Sequence, residues 1–373
     1  MGLGAAASAC TMANHSRQSN DKVQAITDEK RDFIQSGDAS LQERAKAKNL
    51  IYGAATDHKI ISSDSGFADS FAKECAMLVP ATALKWYTLR PSATRFDFAE
   101  GDALFSFART HNMLLRGHTL VWDQALPEWF KVTVNRQNAE AFMSEHITAV
   151  VKHYAGQVHS WDVVNEAINA EHDRSDGLQK TPWLQLLGPG YIDTAFRIAA
   201  QADPKAMLVY NDRWLDYDTE RDTRQRSAVL RLLEHLKSIG TPVHALGIQA
   251  HLRGNETRFA PRKLRKFLSD IASLDLKILI TELDVRDNGL PFDIAVRDRI
   301  VAGVYEDYLS VVLEEPAVIA VVTWGLSDRS TWLSTWSPRT DKAPVRPLPL
   351  DAQLKRKLAW NAIARAFDKA PKR

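Results

Sequence analysis

The segment Trp161-Asp-Val-Val-Asn-Glu166 is a short run of strand-forming residues that ends in an amide and a carboxylic acid. A polar, turn-rich segment at 169–177 follows it. A second segment, Ile278-Leu-Ile-Thr-Glu-Leu-Asp-Val285, has the same character and carries Glu282 where its apolar run meets polar chain. Buried parallel strands deliver side chains to a pocket at their C-terminal ends. The two segments therefore predict a fold that brings Glu166 and Glu282 together.

Six further segments have the same strand-like composition, and stretches of helical periodicity separate them. This alternation predicts a single closed (β/α)8 barrel, a TIM barrel of the α/β class, over residues 23–373. An open doubly wound sheet is the alternative, but no glycine-rich phosphate loop follows the first strand. The predicted strands are 50–55, 77–80, 113–122, 158–166, 207–211, 245–251, 278–285 and 318–324. The helical stretches are 26–48 (with a break at Gly37-Asp38), 139–154, 192–200, 224–239, 264–274, 298–313 and 352–367.

The composition is that of an ordinary globular chain, with 45% hydrophobic and 25% charged residues among 373. The net charge of +2 gives no electrostatic reason to expect a nucleic acid or an anionic membrane as partner. No apolar run is long enough to span a membrane. We expect a monomer. The chain has ten tryptophans, whose faces suit sugar rings, but core packing is the expectation for most of them.

The N-terminal segment 1–22 has no apolar periodicity and is predicted to be a tail. Its small apolar residues run into Ala-Ser-Ala-Cys10, which resembles a bacterial lipoprotein processing site, although the basic start of an export signal is missing. We therefore predict an exported protein (periplasmic, secreted, or an outer-membrane lipoprotein attached through Cys10). A flexible alanine-rich tail is the alternative. Cys10 and Cys75 are the two cysteines of the chain, so no disulfide framework is expected.

Polar and aromatic side chains stand where the predicted strands end, which is where barrels of this type place reactive groups. Two acids with amides, histidines and tryptophans suit the hydrolysis of a glycosidic bond: one carboxylic acid protonates the leaving oxygen and one carboxylate attacks the anomeric carbon. Phosphoryl transfer would require a glycine-rich cradle, and the histidines lack the spacing of a zinc site. We expect no metal and no cofactor. The strand-end residues are Lys85, Trp86, His118, Trp122, Asn165, Glu166, Asn211, Asp212, Gln249, His251, Glu282, Asp284 and Trp324.

Several of these segments resemble glycoside hydrolase family 10, the family of retaining β-1,4-xylanases. Segments 161–167 and 280–285 resemble its two catalytic signatures, and segments 116–122, 126–129, 247–252 and 324–333 resemble the family in order and spacing. The resemblance covers roughly residues 41–367.

The resemblance implies a role for each matching residue. Glu166 corresponds to the general acid/base and Glu282 to the nucleophile, with the two carboxyl groups about 5–5.5 Å apart in a retaining enzyme. His251 and Asp284 correspond to a pair that orients the nucleophile. The residues that correspond to the walls of the cleavage-point subsite are Lys85, His118, Trp122, Asn165, Gln249, Trp324 and, as an aromatic lid, Trp332.

The sequence departs from the family at four positions. The family's Pro-Glu-Asn is Pro80-Ala81-Thr82 here, and its Trp-His-x-Gln is Trp122-Asp123-Gln124-Ala125. The lost sugar-holding groups all belong to the second glycone subsite, so the altered positions are Ala81, Thr82, Asp123 and Ala125. We refer to these four positions as the glycone end.

Three functions are compatible with this pattern. The first is a retaining endo-1,4-β-xylanase whose second glycone subsite is altered, with Thr82 or Gln124 replacing the missing contacts. The second is the same barrel hydrolysing a decorated or different glycan. The third is a sugar-binding barrel without turnover, which the presence of both Glu166 and Glu282 disfavours. In each case the expected partner is a xylan-like polysaccharide or oligosaccharide.

Overall fold

The computed structural model describes residues 31–35, 37–172 and 174–373. Its eight main strands pair in parallel, each with the next along the chain, and pairing between the first and the last closes the sheet into a barrel. The predicted (β/α)8 barrel is therefore confirmed. One additional strand of three residues, His251–Arg253, follows the sixth main strand along the chain. It pairs at the barrel mouth with the C-terminal end of the strand Lys277–Arg286. The strands are β1 Ile51–Thr56, β2 Met77–Pro80, β3 Leu114–Gly117, β4 Ser160–Asn165, β5 Met207–Asp212, β6 Ala245–Ile248, β7 His251–Arg253, β8 Lys277–Arg286 and β9 Val318–Thr323.

Helices cover the outside of the barrel, and local sequence signals determine where several of them begin. Ser40 and Glu43 form a reciprocal capping box at the first helix, and Pro182 and Pro261 occupy first-turn positions of two others. The helices are α1 Leu41–Lys46, α2 His58–Ser63, α3 Ser65–Glu74, α4 Trp86–Leu89, α5 Ala99–Thr110, α6 Phe130–Thr133, α7 Ala139–His153, α8 Pro182–Leu187, α9 Tyr191–Ala202, α10 Glu220–Ser238, α11 Pro261–Ala272, α12 Ile294–Val312, α13 Leu333–Trp336 and α14 Leu358–Lys369, with a 3-10 turn at Asp123–Ala125.

The main hydrophobic core lies between the strands and the surrounding helices. The barrel interior contains two smaller apolar clusters. One joins Ala55, Met77, Val79 and Val322, and the other joins Val209, Ala245, Leu279 and Ala320. These clusters fill the inside of the barrel, as expected for eight strands. The polar strand ends are thereby confined to the mouth.

Two predicted helices are shorter than expected. Of the predicted stretch 26–48, the described residues form a helix only at Leu41–Lys46. Residues 31–35 instead lie as irregular chain on the barrel surface, because Arg31 pairs with Glu306 at 3.0 Å and Phe33 is buried. The last helix begins at Leu358, not at residue 352, since the carboxylate of Asp351 accepts backbone N–H bonds that fold the preceding segment into a turn.

The predictions for the tail are not tested by the fold, because residues 1–22, including Cys10, lie outside the described residues. Cys75 is a buried free thiol in α3's C-terminal cap. Within residues 31–35, 37–172 and 174–373, no helix is both long and apolar enough to cross a membrane.

Candidate active site

Strand β8 delivers three polar residues to the barrel mouth. Alternate residues of a strand face the same side, so Glu282, Asp284 and Arg286 share one face at its C-terminal end. Glu282 and Arg286 line a cavity of about 410 Å³ at the mouth. Asp284 is fully buried beside them and binds the His251 ring.

Strand β4 delivers the second acid by a different local geometry. The strand ends at Asn165, and Glu166 then adopts a left-handed backbone with φ +56°, an uncommon conformation for a residue with a side chain. Its N–H donates to the carbonyl of Asn211 at 2.9 Å, which ties the turn to β5. Such conformations persist only where the surroundings fix them, and they concentrate at functional sites.

The cavity brings together ten of the eleven residues predicted for catalysis or for the cleavage-point subsite. The eleventh, Asp284, lies behind them. Its second carboxylate oxygen accepts the indole N–H of Trp332 at 2.8 Å, so it joins the lid to the His251 ring. The ten lining residues are Lys85, His118, Trp122, Asn165, Glu166, Gln249, His251, Glu282, Trp324 and Trp332.

Glu282 lies among groups that stabilise its ionised form. Burial alone would raise its pKa, but the hydrogen bond from His251, the nearby His118 and the Asn211 amide together lower the pKa to about 2. His251 Nε2 lies 3.2 Å from one carboxylate oxygen, and Asn211 Nδ2 donates to the other at 2.8 Å. Glu282 is therefore an ionised carboxylate over the ordinary pH range.

His251 is held in its charged form by two carboxylates. Burial lowers its pKa, but the charge of Asp284 and the hydrogen bonds to Asp284 and Glu282 outweigh burial and raise the pKa to about 10. Both ring nitrogens then carry protons, so the ring donates to Asp284 at 3.0 Å and to Glu282 at 3.2 Å. This series of hydrogen bonds, from Trp332 through Asp284 and His251 to Glu282, fixes the orientation of the Glu282 carboxylate.

Glu166 has the opposite electrostatic environment. Burial raises its pKa, and the negative charge of Glu282 adds to this effect. Arg213, at 3.1 Å from one carboxylate oxygen, and Gln249, which donates to the other at 2.9 Å, offset part of the rise. The result is a net upward shift, so Glu166 takes up a proton more readily than Glu282 does.

Asn211 connects the two acids. Its Nδ2 donates both to Glu282 and to Asn165 Oδ1, and its Oδ1 accepts the hydroxyl of Thr281 at 2.7 Å. The neighbouring residue on β6 is Gly247, where a Cβ would lie 2.2 Å from Asn211 Oδ1. Glycine is therefore needed at 247 for this amide to occupy its position.

A second buried network orients another side of the cavity. Asp162, fully buried on β4, accepts from Arg116 and binds His118 Nδ1 at 2.9 Å. This contact fixes the ring of His118 beside Trp324, at 5.2 Å between ring centroids. Lys85 lies over the Trp122 ring at 5.0 Å, and burial lowers its pKa, which the charges of Glu282, Asp57 and Glu166 oppose.

The four altered positions make contacts away from the cavity. Thr82 donates to Asp57 at 2.5 Å, and both carboxylate oxygens of Asp123 lie 3.3 Å from the Gln179 amide. Ala125 is fully buried, and Ala81 is half-buried after β2. Among the described residues that line the cavity, none belongs to the glycone end.

Sequence reasoning missed a second group of cavity residues, which are arginines and aromatic residues. Arg213 and Trp214 directly follow the strand end at Asp212, and Arg286 lies two residues after Asp284, so reading two residues further along those strands would have found them. Arg221 in α10 and Trp336 in α13 have no such signal. The missed lining residues are Arg213, Trp214, Tyr217, Arg221, Arg253, Arg286 and Trp336, with Asp216 and Asp222. Gln124, which the sequence offered as a replacement for missing sugar contacts, also lines the cavity.

Six of the ten tryptophans pack in or against the hydrophobic clusters, in line with the expectation for most of them. Four are fully buried, while Trp129 and Trp324 are half-buried and pack against these clusters. Five tryptophans, Trp324 among them, line the cavity and give it an aromatic wall that suits the faces of sugar rings. These five are Trp122, Trp214, Trp324, Trp332 and Trp336.

A closed parallel barrel with two carboxyl groups of opposite proton affinity in one tryptophan-lined mouth has the chemical equipment of a glycoside hydrolase. Within the described part of the chain, no group of three or more histidines, cysteines or acids could hold a metal ion. The family model described as "Glycosyl hydrolase family 10" matches residues 40–366. The chain therefore belongs to glycosyl hydrolase family 10, a family of glycosidases of the endo-1,4-β-xylanase type.

Known proteins with similar sequences support the assignment to this family. Exoglucanase XynX of Acetivibrio thermocellus is 33% identical over 326 residues, which are 84% of this chain and 28% of that protein. Endo-1,4-beta-xylanase A of Thermoanaerobacterium saccharolyticum is 33% identical over 83% of this chain and 26% of that protein. The chain thus spans about a quarter of the length of these two relatives. Endo-1,4-beta-xylanase 1 of Humicola insolens is 32% identical over 87% of this chain and 74% of that protein.

Solved structures show the same architecture. Xylanase 10B from Thermotoga petrophila RKU-1, in complex with xylobiose, superposes with a TM-score of 0.81 at 30% identity, covering 90% of this chain and 99% of that one. Native xylanase 10B from Thermotoga maritima has a TM-score of 0.80 at 30% identity, over 88% and 98% of the two chains.

Proposed function

We propose that this protein hydrolyses β-1,4-linked xylan-like chains with retention of configuration. Glu282 is the nucleophile and Glu166 the general acid/base. The observation that carries the proposal is that the two carboxyl groups line one cavity in environments that separate their protonation states. Pairs of carboxyls whose surroundings push their pKa values apart divide the acid and base roles between them.

The reaction follows from these protonation states. Ionised Glu282 attacks the anomeric carbon while protonated Glu166 gives its proton to the leaving oxygen, and a glycosyl–enzyme ester forms as the glycosidic bond breaks. Esterification removes the negative charge of Glu282, which had helped to raise the pKa of Glu166. Glu166, now a carboxylate of lower pKa, takes a proton from water, and that water releases the sugar from Glu282.

The surrounding residues hold the reacting sugar and the nucleophile. His251 and Asp284 orient Glu282 through the hydrogen bonds described above. Asn165 and Gln249 stand beside the two acids as amides for sugar hydroxyls, and Lys85 and His118 occupy the facing wall. Trp122, Trp324 and Trp332 supply the apolar faces. None of these steps requires a cofactor.

We further propose that the second glycone subsite is altered. From the sequence, Thr82 and Gln124 are the two residues that could replace the missing sugar contacts of this subsite. Thr82 is committed to Asp57, and Gln124 lies 3.4 Å from Glu166, next to the cleavage point. Losing a sugar-binding hydrogen bond costs about 1 kcal/mol. Remote binding energy also contributes to turnover, so we expect weak activity on short linear xylo-oligosaccharides.

The decisive experiment is hydrolysis of linear xylohexaose with product sizing, alongside glucuronoxylan and arabinoxylan. We expect β-configured products by NMR and faster cleavage of a decorated substrate than of the linear one. Rapid cleavage of xylohexaose to xylobiose and xylotriose would show that the glycone end is compensated. No cleavage of any of the three would contradict the proposed function.

The predictions of export and of lipid attachment at Cys10 remain proposals that rest on the sequence alone. Labelling with a radioactive fatty acid in a bacterial host tests them, with Cys10→Ala as the control. Label that depends on Cys10 supports attachment, and equal labelling of both proteins contradicts it.

A further inference from the structure

Four arginines line one side of the cavity. Arg213 follows β5, Arg221 lies in the first turn of α10, Arg253 ends β7 and Arg286 ends β8. We refer to these four residues as the arginine wall. The barrel order places β6 and β8 across the mouth from β2 and β3, so the wall lies opposite the glycone end.

The arginine wall has more positive charge than its neighbours neutralise. Arg213 pairs with Glu166, and Arg253 pairs with Glu256 at 3.1 Å. In the part of the chain that the structure describes, no carboxylate lies within ion-pair distance of Arg221 or Arg286. An arginine in a cavity without a counter-charge is costly, and a bound anion would remove that cost.

Two acids in the same cavity have other partners. Asp216 accepts the Tyr308 hydroxyl at 2.8 Å, and burial raises its pKa to about 6. Asp222, in the first turn of α10, accepts the backbone N–H of Tyr217 at 3.0 Å and the hydroxyl of Thr219, the N-cap residue of that helix. Both carboxylates are thus used within the protein and do not satisfy the arginine wall.

Unused donors give an independent indication of a ligand. The Nε atoms of Arg213 and Arg286 are buried and have no hydrogen-bond partner among the described residues. Burial lowers the pKa of Arg286, and although Asp284 opposes this, the positive charges of Arg253 and Arg221 lower it further. Like charges are therefore brought together on this side of the cavity.

Aromatic rings support the guanidinium groups and provide stacking surfaces. Arg213 and Arg221 lie over the Trp214 ring at 4.2 and 4.3 Å from its centroid, and Arg286 lies over Trp336 at 4.3 Å. Stacking of this kind pre-organises the planar donor forks, which match a carboxylate in two parallel hydrogen bonds. Tryptophan beside arginine suits a sugar that carries a carboxylate.

We propose that the arginine wall binds the carboxylate of a uronic acid residue on the leaving-group side of the scissile bond. The side follows from Arg213, which contacts the acid that protonates the leaving oxygen and lies away from the glycone end. The substrate class is therefore an acidic, uronate-bearing glycan. This inference rests on the proposed function for the location of the scissile bond.

The test measures binding without turnover. The chain of residues 1–373 with Glu282→Gln is titrated by calorimetry with a xylo-oligosaccharide that carries one glucuronate branch. The same oligosaccharide with its carboxyl group reduced to an alcohol is the matched neutral ligand. We expect the acidic ligand to bind at least about tenfold more tightly, because a charge-assisted pair replaces unpaired arginine.

Two variants assign the effect to the wall. Arg221→Gln and Arg286→Gln, each made singly in the Glu282→Gln background, should remove most of the preference and leave the neutral ligand unchanged. Arg262→Gln removes the same charge from the exposed surface of α11 and should leave the preference intact. Thermal melting checks that each variant is folded.

Three outcomes overturn the inference: equal affinities for the two ligands, binding of neither ligand, or a preference that survives both arginine substitutions. Hydrolysis of xylohexaose by the protein with Glu282 intact is measured in parallel. Cleavage of xylohexaose together with equal affinities would reject the arginine wall as a uronate site and leave the proposed function standing. A preference for the uronate-bearing ligand without any hydrolysis of xylohexaose would support the arginine wall as a uronate site and reject the proposed function.

Discussion

Two sides of the barrel mouth differ in a way that separates chemistry from specificity. At the glycone end, for which we propose an altered sugar subsite, the side chains are small or bonded to neighbours, as Thr82 is to Asp57. At the opposite end the arginine wall presents donors without partners. Between them the contacts of Glu282 and Glu166 are fully formed. In the proposed function, the catalytic centre thus stays in place while the recognition of sugars on either side changes.

The first prediction concerns Glu282, the proposed nucleophile, which lies between the glycone end and the arginine wall. Glu282→Gln should lower kcat by at least about 10⁴-fold, because it deletes the group that forms the covalent intermediate. Glu128→Gln, on the exposed surface where Glu128 pairs with Lys131, is the control for contaminating hydrolases. Release of reducing sugar measures both. A loss below about 100-fold would assign the nucleophile elsewhere.

The second prediction concerns the acid beside the arginine wall. Glu166→Gln should lower kcat/KM on unactivated substrates by about 10²- to 10⁴-fold. In the parent protein, activity requires protonated Glu166 and ionised Glu282. The rate should fall as pH rises through the raised pKa of Glu166, and fall at low pH only as Glu282 is protonated near its pKa of about 2.

The pH profile of kcat/KM distinguishes this role from a structural one. The glutamine variant should lose the alkaline limb, because its amide does not titrate. A substrate with a good leaving group, such as an aryl xyloside, should show a much smaller loss in the first step. An alkaline limb that persists unchanged in Glu166→Gln would contradict the assignment.

The third prediction refills the glycone end. Ala81→Glu with Thr82→Asn should raise kcat/KM on linear xylo-oligosaccharides by about 5- to 30-fold, since two hydrogen bonds of about 1 kcal/mol each are restored. An aryl xyloside, which lacks a second glycone sugar, is the control substrate and should be unaffected. An equal gain on both substrates, or none on the oligosaccharide, would show that this end does not limit activity.

The fourth prediction is the smallest and concerns the arginine wall. Raising the salt concentration from low ionic strength should weaken binding of a uronate-bearing oligosaccharide a few-fold, since screening is incomplete in a partly enclosed cavity. Binding of the neutral, carboxyl-reduced ligand should not change. A salt effect equal for both ligands would indicate that the arginines do not contact the carboxylate.

The sequence predicted the barrel well because its strands are short apolar runs with abrupt polar ends. Strand β8, for example, was expected at 278–285 and is observed at Lys277–Arg286. The same logic found Glu166 and Glu282, since strand ends converge in this fold. Helices marked only by composition, such as 26–48, were less reliable, because side-chain ion pairs to distant residues determine the path of Arg31.

The arginine wall was not predictable in this way. Arg221 belongs to the first turn of a helix and Arg253 to a three-residue strand, so neither follows a main strand end. Both side chains reach the same cavity because of the paths of the loops, and hydrophobic periodicity in the sequence does not predict those paths. The double donation by Asn211 likewise depends on the space beside Gly247, which is visible only when two strands are placed in register.

The location of the arginine wall also bears on the fate of the glycosyl–enzyme intermediate. In the proposed orientation, the first fragment to leave is the one that Arg221 and Arg286 hold, while its partner remains esterified to Glu282. A second acidic sugar that binds there after the fragment leaves shields the ester from water and offers its own hydroxyl to the same carbon. Transglycosylation would then compete with hydrolysis, and the ratio of the two would follow the concentration of acidic acceptor sugars.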